Sequence, residues 1–130
     1  MTANRIAELG YQIIIPDLYR GKTAKDHEEA GHLLSGLDWP GALADIKGAK
    51  EYLQKNGAEK VGILGFCMGG ALTIAAATLN QDLDAVAPFY GIPDLNSFDV
   101  SKITSRFEAH FGELDDLKGF SDPESAQKLI

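Results

Sequence analysis

The sequence is poor in several features that mark common functional classes. Its 130 residues include one cysteine, which excludes a disulfide framework within the chain and fits a reducing compartment, so we expect a cytoplasmic protein. Lys and Arg number 12 against 19 Asp and Glu, and the net charge of −7 argues against a nucleic-acid partner. No apolar run is long enough to span a bilayer, and the first residues begin no signal peptide, so no membrane partner is expected.

The apolar residues fall into short runs that are separated by helical patterns. With 45% hydrophobic and 24% charged residues, the composition is that of one globular domain, to which we assign residues 1–130. Alternating strands and helices without hairpin signals predict an α/β fold with a doubly wound parallel sheet. We predict four parallel strands near residues 11–15, 60–65, 85–90 and 106–111. We predict helices that end at Gly10, run from Asp38 to Asn56, cover residues 71–79, and begin at Asp122 to run on to Ile130.

Residues 61–70, VGILGFCMGG, are the most informative stretch. They predict a short strand, a sharp turn at Cys67 and a helix, which is a G-x-C-x-G version of the nucleophile elbow. Glycines at 65 and 69 would let the strand and the helix approach closely. The helix N-terminus would favour the Cys67 thiolate, and the Met68 N–H would point into an oxyanion hole. The alternative is a buried structural cysteine, because free cysteine often serves as a small apolar residue.

The three histidines give no sign of a metal site. His27 and His32 lie in a polar, partly helical segment, and five residues of separation on a helix would not let them share a metal ion easily. We interpret that segment as a solvated face. His110 lies within the last predicted strand. We therefore expect no metal ligands in this chain.

Four motifs together resemble the dienelactone hydrolase family of α/β-hydrolases. They are residues 16–19 (PDLY), 61–70 (VGILGFCMGG), 89–91 (FYG) and 110–115 (HFGELD). The resemblance implies an α/β-hydrolase fold and a Cys–His–Asp triad that opens small-molecule lactones and related esters through an acyl-enzyme, with no cofactor. By motif, Cys67 is similar to the nucleophile and Asp115 to the orienting acid, with Asp116 as the second choice. A plain acidic turn is the alternative for residues 112–115.

The resemblance also suggests two weaker substrate-binding residues, Arg20 and Tyr90. Arg20 lies in the loop where relatives carry an arginine that binds the substrate carboxylate, although the register is one residue off. A surface arginine is the alternative interpretation. Tyr90 belongs to the FYG motif after the third predicted strand.

The sequence departs from the family pattern at both ends. None of the histidines occupies the position of the triad histidine, and the loop that supplies a second oxyanion donor would precede Met1. We therefore expect an incomplete α/β-hydrolase domain with about four strands, whose exposed sheet edges could cause self-association. A hydrolase is the leading function. A non-catalytic binding or interaction module is the alternative, and a redox-active cysteine protein is weaker because the chain has no resolving cysteine.

The elbow interpretation predicts a reactive thiol. Cys67 should react with iodoacetamide faster than free cysteine does at neutral pH, because a helix N-terminus favours the thiolate. The second-order alkylation rate of the folded protein tests this. A rate no higher than that of free cysteine would support the structural interpretation instead.

Overall fold

The computed structural model describes all 130 residues. The chain divides into two compact units, Met1–Glu59 and Lys60–Ile130, which are described in turn. None of the helices is both long and apolar enough to cross a membrane.

The first unit contains three helices: α1 (Thr2–Glu8), α2 (His27–Ser35) and α3 (Trp39–Lys55). The limits of α3 match the prediction, because the Asp38 carboxylate accepts a hydrogen bond from the Gly41 N–H and Asn56 follows the last turn. Gly10 comes directly after the cap of α1 and has φ 95°, which confirms it as the end of that helix.

The first predicted strand does not form. Residues 11–15 belong to no strand, and Tyr11 and Ile15 are 67% and 61% exposed. An apolar, β-branched run favours a sheet, but a strand exists only where a neighbour supplies the ladder of backbone hydrogen bonds. The prediction of four strands is therefore wrong in number, and the sheet has three.

The second unit contains that sheet, formed by β1 (Gly62–Phe66), β2 (Ala85–Phe89) and β3 (Arg106–Phe107). The strand order is β1-β2-β3, and both pairings are parallel as predicted. The helix α4 (Met68–Leu79) connects β1 to β2. The chain therefore has an incomplete α/β fold with a parallel sheet and helical connections.

The strand β3 is shorter than predicted because of a proline in its neighbour. Hydrogen bonds to β2 continue beyond β3, since the Glu108 N–H donates to Val86 O and the His110 N–H donates to Pro88 O, each at 3.0 Å. Pro88 has no N–H to donate in return, so one bond of the parallel ladder is missing. The pairing resumes as a single bridge between Phe89 and His110.

The helix α4 forms the centre of the second unit. All of its residues from Gly70 to Thr78 are buried, because nearly every residue of this helix is apolar. Its largest apolar side chains, Leu72 and Ile74, join Val86 of β2 in the core. The last helix, α5 (Pro123–Gln127), begins after Asp122 as predicted but ends before Ile130.

The buried Asp122 carboxylate holds the start of α5 in place. Asp122 is 1% exposed, and its Oδ1 accepts hydrogen bonds from Ser125 Oγ at 2.6 Å and from the Gly119 N–H at 2.8 Å. The Ser125 hydroxyl is the largest cause that lowers the pKa of Asp122, and burial acts in the opposite direction.

This environment predicts acid-dependent stability. Because the folded-state pKa of Asp122 lies below its ordinary value of 3.8, the stabilisation is present above that value and is lost as the pH falls through the folded-state pKa. Asp122→Asn should lower the free energy of unfolding at pH 7, and the difference from wild type should shrink below pH 3.8. Urea unfolding at pH 7 and at a pH below 3.8 measures this difference, with the exposed Glu124→Gln as the matched control. An equal loss at both pH values would contradict the prediction.

Candidate active site

Cys67 occupies the turn between β1 and α4, and its backbone is strained. Its φ and ψ are 55° and −119°, a region that residues with a side chain rarely adopt. The Cys67 N–H donates to Phe89 O at 3.0 Å, and its carbonyl accepts from the Ala71 N–H at 3.1 Å. The predicted strand, turn and helix are therefore present, and we refer to residues 65–70 as the Cys67 turn.

Two glycines let the Cys67 turn form, and only one of them was predicted. A Cβ on Gly65 would collide with the carbonyl of Gly69 and lie 2.6 Å from Thr73 Oγ1, which confirms the role predicted for Gly65. A Cβ on Gly69 would meet nothing within 4 Å, so the packing role predicted for that glycine is wrong. The required residue is its neighbour Gly70, whose Cβ would lie 2.5 Å from Phe89 O.

Gly91, which follows β2, allows the same close approach between the end of β2 and the Cys67 turn. A Cβ on Gly91 would collide with the carbonyl of Cys67 and lie 3.0 Å from the Ala71 nitrogen. The FYG motif ends at this residue, but nothing local in the sequence distinguishes a glycine that meets Cys67 from one in an ordinary loop. The close approach depends on the pairing of β1 with β2.

Backbone strain is concentrated at residues that the sequence predicted for the site. The non-glycine residues with positive φ are Arg20 (52°), Cys67 (55°) and Tyr90 (39°). Such conformations cost about 1–3 kcal/mol each and occur frequently at functional sites. Cys67 and Tyr90 directly follow β1 and β2, whose last residues, Phe66 and Phe89, are paired. The two strained residues therefore lie side by side at the carboxyl ends of these strands.

Several aromatic rings lie at the carboxyl ends of these strands. The centroid of the Phe66 ring lies 4.8 Å from that of Phe89 and 6.2 Å from that of Tyr90. Phe66 and Tyr90 are 41% and 43% exposed. The His110 ring also stacks on Phe89, with centroids 4.3 Å apart and an interplanar angle of 12°. These rings offer an apolar surface next to Cys67.

The polar groups of the second unit near Cys67 include a backbone donor, whereas His110 does not bind the sulfur. Cys67 is exposed and its thiol is free. Met68 is the first residue of α4, so its N–H has no acceptor within the helix. No hydrogen bond joins His110 to Cys67 Sγ, and His110 Nε2 lies 3.2 Å from Glu108 Oε1.

Asp115 forms a local turn. Its Oδ1 accepts a hydrogen bond from the Leu117 N–H at 3.0 Å, and its own N–H donates to Gly112 O at 3.3 Å. This is the geometry of the acidic turn that the sequence left as an alternative. The second carboxylate oxygen, Oδ2, accepts no hydrogen bond within the chain, so Asp115 keeps one oxygen for a further partner.

Arg20 lies in the first unit and is engaged in an ion pair. Its Nε is 3.3 Å from Asp45 Oδ2, and its side chain is largely exposed. It also lines a half-open cleft of about 310 Å³, whose wall includes Leu18, Leu33 and Leu37. An exposed pair of this kind is worth about 0–1 kcal/mol, so a bound carboxylate could compete for the guanidinium.

Comparison with known proteins identifies the family. The model of the dienelactone hydrolase family matches residues 1–130. The chain belongs to this family. It is 34% identical over 109 residues to Protein usf of Aquifex pyrophilus, an overlap that covers 77% of the chain and 46% of that relative. The resemblance deduced from the four motifs is thereby confirmed, and with it the α/β-hydrolase fold class.

Two further relatives carry an enzyme name. The chain is 32% identical to a putative carboxymethylenebutenolidase of Aquifex aeolicus, over 77% of the chain and 46% of the relative. It is 31% identical to the carboxymethylenebutenolidase of Pseudomonas putida, over 70% of the chain and 43% of the relative. The chain thus matches less than half the length of each of these dienelactone hydrolase relatives.

The glycine contacts predict opposite effects for two neighbouring substitutions. Gly70→Ala should lower the free energy of unfolding by about 1–3 kcal/mol, because its methyl group would overlap the Phe89 carbonyl. The matched control Gly69→Ala places a methyl group in open space and should leave stability unchanged or raise it by up to about 1 kcal/mol. Urea unfolding of the two variants tests this. Equal stability of the two would contradict the assigned contact.

Proposed function

We propose that this chain carries the nucleophile of a lactone or ester hydrolase, and that Cys67 attacks the substrate carbonyl to form an acyl-enzyme. The observation that carries the proposal is the Cys67 turn. It projects an exposed thiol from a strained residue between a strand and a helix, which is the arrangement of a nucleophile elbow. Family membership supports the same reaction class.

The proposed first half-reaction needs a thiolate and an oxyanion donor. The Cys67 sulfur forms a bond to the carbonyl carbon, and the carbonyl oxygen takes up negative charge in the tetrahedral intermediate. The Met68 N–H, which has no acceptor within α4, would stabilise that charge. Collapse of the intermediate breaks the C–O bond of the ester or lactone, and the departing alkoxide takes a proton from water. A thioester at Cys67 remains.

The second half-reaction needs a base that activates water against the thioester. In the proposed triad, Asp115 orients a histidine through its free Oδ2 oxygen. His110 is not hydrogen-bonded to Cys67, so we assign it no part as that base. Hydrolysis of the acyl-enzyme by this chain should therefore be slow compared with its formation.

The proposed substrate is a small molecule with a lactone or ester bond. Carboxymethylenebutenolidase, the name carried by two of the relatives, denotes an enzyme that acts on a lactone. Tyr90 and the neighbouring Phe66 would contact the apolar part of the substrate. The assignment of Arg20 to a substrate carboxylate stays a prediction from the family resemblance. A cytoplasmic location fits this mechanism, because a reducing compartment keeps a free thiol reduced.

The proposal predicts a burst with little turnover. The 130-residue chain mixed with p-nitrophenyl acetate should release close to one nitrophenolate per chain, followed by a much slower phase, because acylation outruns deacylation. Removal of one triad member typically leaves a rate about 10³–10⁴-fold above that in water. Stopped-flow absorbance measures the burst, and mass spectrometry of the quenched protein locates the acetyl group.

The control is Cys67→Ala, which should lose both the burst and the acetyl adduct. Failure of the wild-type chain to acquire an acetyl group at Cys67 would refute the nucleophile assignment. Rapid multiple turnovers that Cys67→Ala abolishes would show that another group of the chain performs deacylation. The acyl-enzyme would then stand, but its predicted slow breakdown would be wrong.

A further inference from the structure

His110 contacts the segment that holds the backbone of Cys67, although it does not contact the sulfur. Its ring stacks face to face on Phe89, with centroids 4.3 Å apart. Its backbone flanks the same residue on both sides, because the His110 N–H donates to Pro88 O and its carbonyl accepts from the Tyr90 N–H at 2.8 Å. Phe89 is therefore fixed to His110 through both its side chain and its neighbours.

The Phe89 carbonyl is the group that meets Cys67. It accepts the Cys67 N–H at 3.0 Å, and a Cβ on Gly70 would lie 2.5 Å from it. A movement of this carbonyl would therefore shift the N–H of Cys67 and the first turn of α4 together. The position of the Met68 N–H, the proposed oxyanion donor, depends on the same contact.

The stacking contact lies directly after a gap in the ladder of backbone hydrogen bonds. Pro88 cannot donate a hydrogen bond, so β3 ends early and Phe89 pairs with His110 only as an isolated bridge. A stacked aromatic pair stabilises a structure beyond the area that it buries. Glu108 Oε1 lies 3.2 Å from His110 Nε2, in a contact that is exposed to solvent.

We propose that His110 is a positioning residue for Cys67, which acts by stacking on Phe89 and so fixes the carbonyl that binds the Cys67 N–H. The role rests on the proposed function of Cys67 for its catalytic meaning, but the structural link can be measured without any activity. His110 does not exchange protons with the thiol in this role. A ring of similar size and shape should therefore replace it.

The test is amide hydrogen exchange of Cys67, measured by NMR on the 130-residue chain. His110→Ala should accelerate exchange of the Cys67 amide by about tenfold, because loss of the stack loosens its acceptor. His110→Phe, which keeps a ring against Phe89, should stay within about twofold of wild type. Glu108→Gln should also stay within about twofold, since exposed ion pairs contribute little. The reference amide is Asp84, which donates to Val61 O at the other end of the strands.

The outcomes separate the possible roles. Unchanged exchange at Cys67 in His110→Ala would overturn the proposal. Equal acceleration at Cys67 and Asp84 would mean general destabilisation and would also overturn it. Exchange in His110→Phe as fast as in His110→Ala, or the same acceleration in Glu108→Gln, would show that the imidazole or its ion pair acts rather than the stack.

A second measurement separates this proposal from that of the nucleophile. Acylation of Cys67 by p-nitrophenyl acetate should fall about tenfold in His110→Ala and recover in His110→Phe, because acylation depends on the aligned Met68 N–H. Iodoacetamide needs no oxyanion donor, so its rate should change less than about twofold. If wild type forms no acyl adduct while the exchange pattern holds, the nucleophile proposal fails and the positioning contact stands. Equal acylation of His110→Ala and wild type would overturn the positioning role.

Discussion

The contact between the Cys67 turn and the end of β2 is the constraint on which the rest of the second unit depends. Here two stretches of backbone touch directly, since the Cys67 N–H donates to Phe89 O, Gly70 lies against the same oxygen and Gly91 lies against the Cys67 carbonyl. A side chain at either glycine would force the helix away from the sheet. The strained conformation of Cys67 persists because this contact and the buried helix α4 hold it from both sides.

The parallel sheet explains why the strained residues and the aromatic surface lie together. Phe66 and Phe89 are partners in register, so the residues that follow them, Cys67 and Tyr90, leave the sheet side by side. Both have positive φ, which turns the chain sharply away from the strand direction. Ligands of open α/β sheets bind at the carboxyl ends of the strands, and the exposed thiol is at this end. A single pairing of strands thus brings together groups from two separate motifs.

Pro88 determines how the sheet ends next to Cys67. Without its N–H the ladder between β2 and β3 loses one hydrogen bond, and the Phe89 ring stacks on His110 directly after this gap. The Asp115 carboxylate is a separate feature of the proposed site. Asp115 uses one carboxylate oxygen to shape its own turn and keeps the other without a partner, so the turn is compatible with the catalytic role that we propose for Asp115.

The sequence by itself determined the features that depend on neighbours in the chain: the limits of α3, the strand, turn and helix around Cys67, the parallel pairing and the family. Caps, prolines, apolar periodicity and short motifs act locally, so they can be read in order along the chain. The tertiary structure decided the features that depend on residues far apart. Residues 11–15 have a strand's composition but no partner ladder, and Gly70 rather than Gly69 is constrained because it faces Phe89 O. The same holds for His110, which meets Phe89 only because the strands pair. Close approach is a property of the assembled sheet and helix, so the local pattern identified Gly65 but neither Gly70 nor Gly91.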